Sequence, residues 1–500
     1  MAMLQPDDRV PPPLTARRTA PAAVAERLPL VLDLDGTLIA SDLLLECALA
    51  FLKANPLNIV QLVLWALQGR ALLKARLAER TEIAVELLPE HTAIVAYARA
   101  EHAGGRGVYM ATASDRKLAE AVSRRYPFIR EVMASGGRVN LKGKHKAAAL
   151  KARFPDGFVY AGDSRADAPV WRQSAGAVYA GPKNGLHRVS EFADIEAAAP
   201  RNAPSARLWA RALRLHQWSK NLLVFVPMML AGKAAVPGLW GACALGFLGM
   251  SLIASGTYLI NDLSDLEDDR RHPTKRARPL ASGALPLKDA IVVAPLAVAA
   301  GLAACFTAGG PFAAAFAGLY CVGTLAYSLR LKRVPVLDVG VIAGLFTVRL
   351  VLGGAIAGAA ASAWLLVFSM FLFVSLALAK RAVEIGRLSG QAGAAGRGYL
   401  VADAPLVAAL GAATAVAAVL VLVLYLIEDA MPRAVYATPD LLWGAPLILS
   451  LWLGRVWLLC GRGALHEDPV VFAVRDRVSL ILGGALAASF AAALVPHPWN

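Results

Sequence analysis

Asn261-Asp262-Leu263-Ser264-Asp265-Leu266-Glu267-Asp268-Asp269-Arg270, followed at once by Arg271, His272, Lys275, Arg276 and Arg278, is a charged island in an apolar stretch of chain. An apolar run over about residues 239–260 leads into it, and another begins near Ala290. Charge at a membrane boundary costs free energy unless it meets water, metal or ligand, so this density of it marks a site. Asp262, Asp265 and Asp269 stand at i, i+3 and i+7, so on one helix they share a face. Such a face suits a hard cation such as Mg2+, which commonly brings phosphate oxygens with it. The basic cluster just behind would complement those phosphates.

Working outward, the hydropathy divides the chain. Of 500 residues, 57% are hydrophobic, but they are unevenly placed. The first 200 or so alternate charged and apolar positions and hold no run of membrane length, whereas nearly everything after Leu222 is apolar. This pattern predicts a soluble domain fused to an all-α polytopic membrane domain. About nine spans are expected, at 222–237, 239–260, 289–308, 311–328, 335–357, 362–379, 404–427, 440–460 and 478–495. The net charge of +15 does not require a nucleic-acid partner. Much of it lies in the loops after alternate spans: Arg270 to Arg278, Arg330/Lys332/Arg333, Lys380/Arg381/Arg387 and Arg462/Arg475/Arg477. The opposite loops carry little beyond Lys233 and Arg433. That asymmetry predicts a multi-pass protein of the plasma (inner) membrane with its N-terminal domain on the cytoplasmic side. Five scattered cysteines lack metal spacing and read as packing residues.

The expected domains are a disordered N-terminus over 1–27, an α/β domain over 28–194, a linker over 195–206 and the membrane domain over 207–500. Residues 1–27 are rich in Pro, Ala and Arg, with no apolar core of a signal peptide. Arg207, Arg211 and Arg214 with Trp209 and Trp218 suit a helix lying on the cytoplasmic membrane surface. In the α/β domain, three short apolar runs (28–32, 107–111, 158–161) read as buried strands. They end in Asp33-Leu-Asp35-Gly-Thr37, in Thr112-Ala-Ser-Asp115 and in Gly162-Asp163-Ser-Arg-Ala-Asp167. Polar groups gathered at the carboxyl ends of separate strands are what a doubly wound sheet offers as a site. A long helical insertion, about 41–100, separates the first two strands and reads as a cap.

Asp33-x-Asp35-Gly-Thr37, Thr112, Lys146 in Gly143-Lys-His-Lys146, and Gly162-Asp163-Ser-x-x-Asp167 resemble the four motifs of the haloacid-dehalogenase (HAD) phosphohydrolases. The resemblance implies that Asp33 is the nucleophile and Asp35 the general acid/base. Thr112 and Lys146 would hold the phosphoryl oxygens, and Asp167 would orient the lysine or the metal. The implied Mg2+ set is Asp33, Asp35 and Asp163, with a backbone carbonyl.

In the membrane half, Asn261-Asp262-x-x-Asp265-x-x-x-Asp269 resembles the first aspartate-rich motif of the UbiA superfamily of intramembrane prenyltransferases. Within the superfamily the chain most resembles the decaprenyl-phosphate phosphoribosyltransferase branch. The resemblance is carried by Gln217-Trp218-x-Lys220-Asn221, His272-Pro-Thr-Lys275-Arg-x-Arg278-Pro, Tyr327-Ser-x-x-Leu-Lys332, Asp338, Arg349 with Gly353-Gly354, and Lys380-Arg381-x-x-Glu384. One departure matters: Asp338 is followed four residues later by Ile342, where ordinary prenyltransferases have a second carboxylate. The resemblance implies phosphoribosyl diphosphate (PRPP) as donor and a polyprenyl phosphate as acceptor. Mg2+ would sit on Asp262, Asp265 and Asp269. Lys220, Asn221, Asn261, Lys275, Arg278, Tyr327, Lys332, Asp338 and Arg349 would bind substrate. The HAD-like domain would then remove the 5′-phosphate, leaving polyprenyl-phosphoryl-ribose. Two rivals are a prenyltransferase acting on an aromatic acceptor and a non-enzymatic transporter or scaffold.

Overall fold

Leu30, Val31 and Leu32 form β1 (Leu30–Leu32), fully buried at the middle of a six-stranded sheet. The computed structural model describes residues 28–136, 140–359, 362–387, 398–432, 435–465 and 469–495. The expected disordered N-terminus and Arg433 lie outside the described residues. With β2 (Val108–Asp115), β3 (Ile129–Ser135), β4 (Val159–Gly162), β5 (Gly176–Tyr179) and β6 (Ile195–Ala198), the strand order is β3-β2-β1-β4-β5-β6, and every pairing is parallel. A parallel sheet must be covered on both faces, and here period-2 alternation sorts the strand residues between two cores. Leu30, Leu32 and Met110 pack with Ile94 and Ala98 of α4 (Thr92–Ala103) and Ala119 and Val122 of α5 (Arg116–Ser123). Val31, Ala111 and Tyr160 pack with Ala147 and Leu150 of α6 (Lys144–Arg153) and with Trp171.

The three expected strands all form, and the insertion resolves into α1 (Leu43–Ala54), α2 (Ile59–Gln68), α3 (Arg70–Arg80) and α4. The start of the expected linker differs. Residues 195–198 are the edge strand β6, whose pairing with β5 outweighs the loop-like composition.

Two compact units are distinguished. One comprises residues 1–212 with 262–292, the other 213–261 with 293–500. Among the described residues, six helices are long and apolar enough to cross a membrane: Leu239–Ser264, Leu287–Leu329, Leu337–Ala357, Ala363–Gly386, Val401–Ala430 and Pro439–Gly461. This makes the chain a multi-pass membrane protein. The expected runs at 289–308 and 311–328 are both helical and meet within Leu287–Leu329 at a kink, where Gly309 and Gly310 leave helical geometry, Gly310 with φ 67°, and Pro311 follows. The other differences from the nine expected spans have two local causes. The run at 222–237 is a 3-10 helix (Leu215–Phe225) and a five-residue helix (Val226–Leu230), ended by Gly232 at φ 67°. The last helix, Arg477–Ala493, has 17 residues, short of the roughly 20 that span hydrocarbon. The surface helix expected near 207–218 is likewise short, Ala206–Ala212.

Candidate functional site

β1 and β4 are neighbours from which the chain departs in opposite directions, and a site opens at the carboxyl ends of such strands. Asp33 follows β1, and Asp163 and Asp167 follow β4. Carboxylate oxygens of Asp33, Asp163 and Asp167 lie within 4.8 Å of one another. Lys146, on α6, donates from Nζ to Asp33 Oδ1 at 2.9 Å and to the Tyr160 hydroxyl at 2.8 Å. The Tyr160 hydroxyl donates in turn to Asp167 Oδ1 at 3.0 Å. Asp167 Oδ2 accepts from both the backbone N–H and the hydroxyl of Ser164. Arg201 Nη2 reaches Asp163 Oδ2 at 2.8 Å. Gly36 has φ 73°, and a Cβ there would collide with the Asp163 carboxylate, so the turn after Asp35 requires glycine.

Burial pushes the Asp33 carboxyl up to about 7, against the pull of Lys146. Burial likewise lifts Asp35 to about 6, with Asp42 adding to the effect, and Asp163 to about 6 against Arg201. Burial also works against the Lys146 charge, but Asp33 and Asp167 outweigh it and hold the ammonium above its ordinary range. Three clustered carboxylates, two of them (Asp33 and Asp163) raised by burial, are chemically suited to a hard divalent cation, whose charge would favour the ionised forms. Asp35, placed in the metal set on sequence grounds, is outside this cluster. Its Oδ1 accepts from Leu43 N at 2.9 Å and its Oδ2 from the Ser114 hydroxyl, while Asp167 stands in the cluster instead. Thr112 is fully buried, and its hydroxyl accepts from Ser114 N. The Thr37 hydroxyl, four residues after Asp33, is buried without a hydrogen-bond partner among the described residues.

The acidic motif is built differently from one helical face. The helix Leu239–Ser264 ends before Asp265, which stands just ahead of a new short helix, Leu266–Arg271, without a side-chain capping bond to it. The break takes the three carboxylates off a common ladder, and Arg278 reunites two of them. Its Nη1 lies 3.0 Å from Asp262 Oδ1 and 2.6 Å from Asp269 Oδ2, with both carboxylates buried. Burial raises the Asp269 carboxyl and Arg278 opposes the rise. Lys275 is exposed, as expected of a loop cation, and Asn261 is half-buried at the end of the preceding helix.

The remaining predicted residues fall in the second unit. Arg349 donates from Nε to Asn221 Oδ1 at 2.7 Å and from Nη2 to the Tyr320 hydroxyl at 2.9 Å, with Asn221 donating onward to Ser251. Lys220 Nζ lies 5.8 Å from the Phe346 ring centre. Asp338 is fully buried and accepts from Arg381 Nε at 2.8 Å and from the Tyr399 hydroxyl at 2.7 Å. Arg381 also donates to the Tyr327 hydroxyl at 3.2 Å and pairs with Glu384. Lys332 lies on the 3-10 turn Leu331–Arg333. Sequence reasoning missed Tyr160, Ser114, Arg201, Tyr320 and Tyr399. Tyr160 and Tyr320 sit in apolar runs that read as core, and Arg201 sits in a segment that read as linker.

Comparison with known proteins bears on both halves. The model of the UbiA prenyltransferase family matches residues 222–494. Protein y4nM of Sinorhizobium fredii is 39% identical over 474 residues, 94% of this chain and 91% of that one, so the similarity runs through both units. Nodulation protein NoeC of Azorhizobium caulinodans is 32% identical over 56% of this chain and 92% of its own length. The decaprenyl-phosphate phosphoribosyltransferase of Corynebacterium glutamicum is 37% identical over 179 residues, 35% of this chain and 54% of that one. Among solved structures, a UbiA homolog from Archaeoglobus fulgidus bound to GPP and Mg2+ aligns with TM-score 0.45 and 16% identity, over 58% of this chain and 100% of the homolog.

Proposed function

The chain belongs to the UbiA prenyltransferase family, and from that premise we propose that it is a bifunctional membrane enzyme. It transfers 5-phosphoribose from PRPP to a polyprenyl phosphate and then removes the 5′-phosphate. The observation that carries the reading is the Arg278 guanidinium set between Asp262 and Asp269. A cation built into the acidic motif suits a donor with several phosphates better than an aspartate pair alone would. The 37% identity to a decaprenyl-phosphate phosphoribosyltransferase supports the same donor.

In the transfer, a lipid phosphate oxygen attacks ribose C1 as the bond from C1 to the diphosphate oxygen breaks. The nucleophile is already anionic, so no strong base is needed. Asp262, Asp265 and Asp269 would hold Mg2+, which neutralises charge on the departing diphosphate. Arg278 and Lys275 add positive charge on the same stretch, turning toward phosphate once the carboxylates are engaged. Lys332 and Tyr327 are further candidates for binding substrate.

In the N-terminal unit, Asp33 attacks the 5′-phosphorus and the sugar oxygen leaves with a proton from Asp35. Water then cleaves the aspartyl-phosphate, with Asp35 taking its proton. Lys146 and Thr112 steady the phosphoryl oxygens, and Tyr160 holds Lys146 and Asp167 in register. Asp33, Asp163 and Asp167 would hold a Mg2+ that screens the incoming phosphate dianion.

Mass spectrometry of lipids formed by membranes from PRPP and polyprenyl phosphate tests the proposal. Wild type yields the dephosphorylated product, Asp33→Asn accumulates the 5′-phosphorylated lipid, and Asp262→Ala yields neither. Incorporation only from polyprenyl diphosphate would overturn the transfer reading. Normal turnover of the phosphorylated lipid in Asp33→Asn would overturn the phosphatase reading.

A further inference from the structure

Helix α2 (Ile59–Gln68) is among the most apolar stretches of the N-terminal unit, yet it contributes no fully buried residue. Val60, Val63, Leu64 and Leu67 recur at i, i+3, i+4 and i+7, one continuous helical stripe. All four are exposed, Leu67 at 80%, and Leu57 and Ile59 beside them are exposed as well. The opposite side is anchored. Leu62 and Trp65 pack on the small core of Cys47, Phe51, Leu73 and Leu77, with the Trp65 and Phe51 rings 5.2 Å apart. The outward stripe is therefore presented by a fixed scaffold. Six neighbouring large apolar side chains in water form a patch that soluble proteins keep small unless it has an occupant.

The surrounding charge selects that occupant. From residue 56 to residue 80 the chain carries four basic residues, Arg70, Lys74, Arg76 and Arg80, against one acidic residue, Glu79. Arg70, Arg76 and Arg80 are exposed. An apolar stripe beside an excess of cations is the pattern of a helix lying in an anionic headgroup layer. A second copy would bring two such basic flanks together, at electrostatic cost. Among the described residues six helices are long and apolar enough to cross a membrane, so a bilayer is permanently tethered to the chain and its effective concentration is high.

We propose that α2, with the basic residues of α3, is a lipid-docking surface that sinks its outer stripe into the headgroup–acyl boundary of an anionic bilayer. The helix pair also adjoins the phosphate chemistry. Lys74 Nζ donates to Ala113 O at 2.7 Å, beside Ser114, whose hydroxyl bonds Asp35. In a consequence that rests on the phosphatase reading, a docked α2 lets a lipid-linked phosphate approach Asp33 with its tail still in the membrane.

The test places a nitroxide at Leu64→Cys, at Leu67→Cys and, as a solvent-facing control, at Glu79→Cys. The full chain is reconstituted one copy per nanodisc, with anionic phospholipid, with the half-buried Cys460 replaced by serine and the buried cysteines, Cys47 of the anchoring core among them, retained. All three sites are exposed, so the labels leave the anchoring core intact. Power-saturation EPR should show oxygen collisions well above nickel-chelate collisions at 64 and 67, and the reverse at 79. Nickel accessibility at 64 and 67 equal to that at 79 would leave α2 in water and overturn the proposal. Inaccessibility to both reagents, or spin–spin broadening appearing with two copies per disc, would assign the stripe to a protein surface and overturn it too. Phosphatase activity is not read, so failure of the docking and failure of the phosphatase reading are distinguishable.

Discussion

The Arg270 guanidinium forks onto the Glu46 carboxylate, Nη2 to Oε1 at 2.6 Å and Nη1 to Oε2 at 3.0 Å, with both side chains 6% exposed. Arg270 directly follows Asp269, and Glu46 lies on α1, so the fork ties the acidic motif to the N-terminal α/β domain. Lys53, also on α1, adds a 2.8 Å bond to Asp268 that is exposed and contributes little.

Removing one partner of a buried ion pair strands the other, at about 3–5 kcal/mol. Glu46→Gln is therefore expected to loosen Leu266–Arg271. Amide exchange there should quicken, and lipid product formation should need more Mg2+ and fall roughly tenfold. Unchanged amide protection with an unchanged Mg2+ requirement would show that the fork does not position the motif.

Tyr160 gives a second expectation. Its hydroxyl bridges Lys146 and Asp167 in a fully buried site, where Lys146 Nζ itself stays 3.9 Å from Asp167 Oδ1. Tyr160→Phe should cost about 1–3 kcal/mol of stability. It should lower the dephosphorylation rate constant with little change in KM, because the ring still fills its place. An equal loss in KM and rate, or none in either, would contradict a positioning role.

How far the sequence disclosed these arrangements depended on whether a feature was local. Strand ends bearing Asp33 and Asp163 announce themselves, because a run of buried residues followed by carboxylates is visible without neighbours. The break at Asp265 was hidden, since i, i+3 and i+7 spacing fits one helix equally well. Nothing near Asp269 reveals Arg278 as its partner, nine residues on, still less Glu46 as the partner of Arg270 across 224 positions. The failed span at 222–237 is the converse: composition favoured a helix, but Pro227 and Gly232 at positive φ divided it. The missing carboxylate after Asp338 was legible at once, and the buried cation that answers Asp338 was not.

The buried carboxyls at the ends of β1 and β4 make stability depend on pH in a direction opposite to that of a paired surface aspartate. Asp33, Asp35 and Asp163 are raised to about 7, 6 and 6 from an ordinary value of 3.8. A raised carboxyl adds stability that is fully present below pH 3.8 and is lost as pH rises through the folded-state value. Metal-free protein should therefore lose stability in the N-terminal unit as pH rises from about 4 to about 7. Mg2+ binds the ionised form, so its stabilising effect should grow across the same window. Amide exchange of β1 and β4, followed with and without Mg2+ in lipid nanodiscs, measures this. A Mg2+ effect independent of pH across that window would refute it.

Asp338 and Arg381 separate a structural from a substrate-binding role. Their side chains are 0% and 1% exposed, and Tyr399, Tyr327 and Glu384 complete the network. Such a network satisfies itself, which argues that Asp338 braces the helices Leu337–Ala357 and Ala363–Gly386 before it touches any ligand. Asp338→Asn alone should leave the arginine under-compensated and cost about 3–5 kcal/mol, seen as a lower melting temperature in detergent. Replacing both residues by leucine should recover most of that loss, because a well-packed apolar pair often matches a buried ion pair. Product formation should recover with it if Asp338 only braces the helices. A double variant that melts like wild type but makes no lipid product would return Asp338 to the substrate.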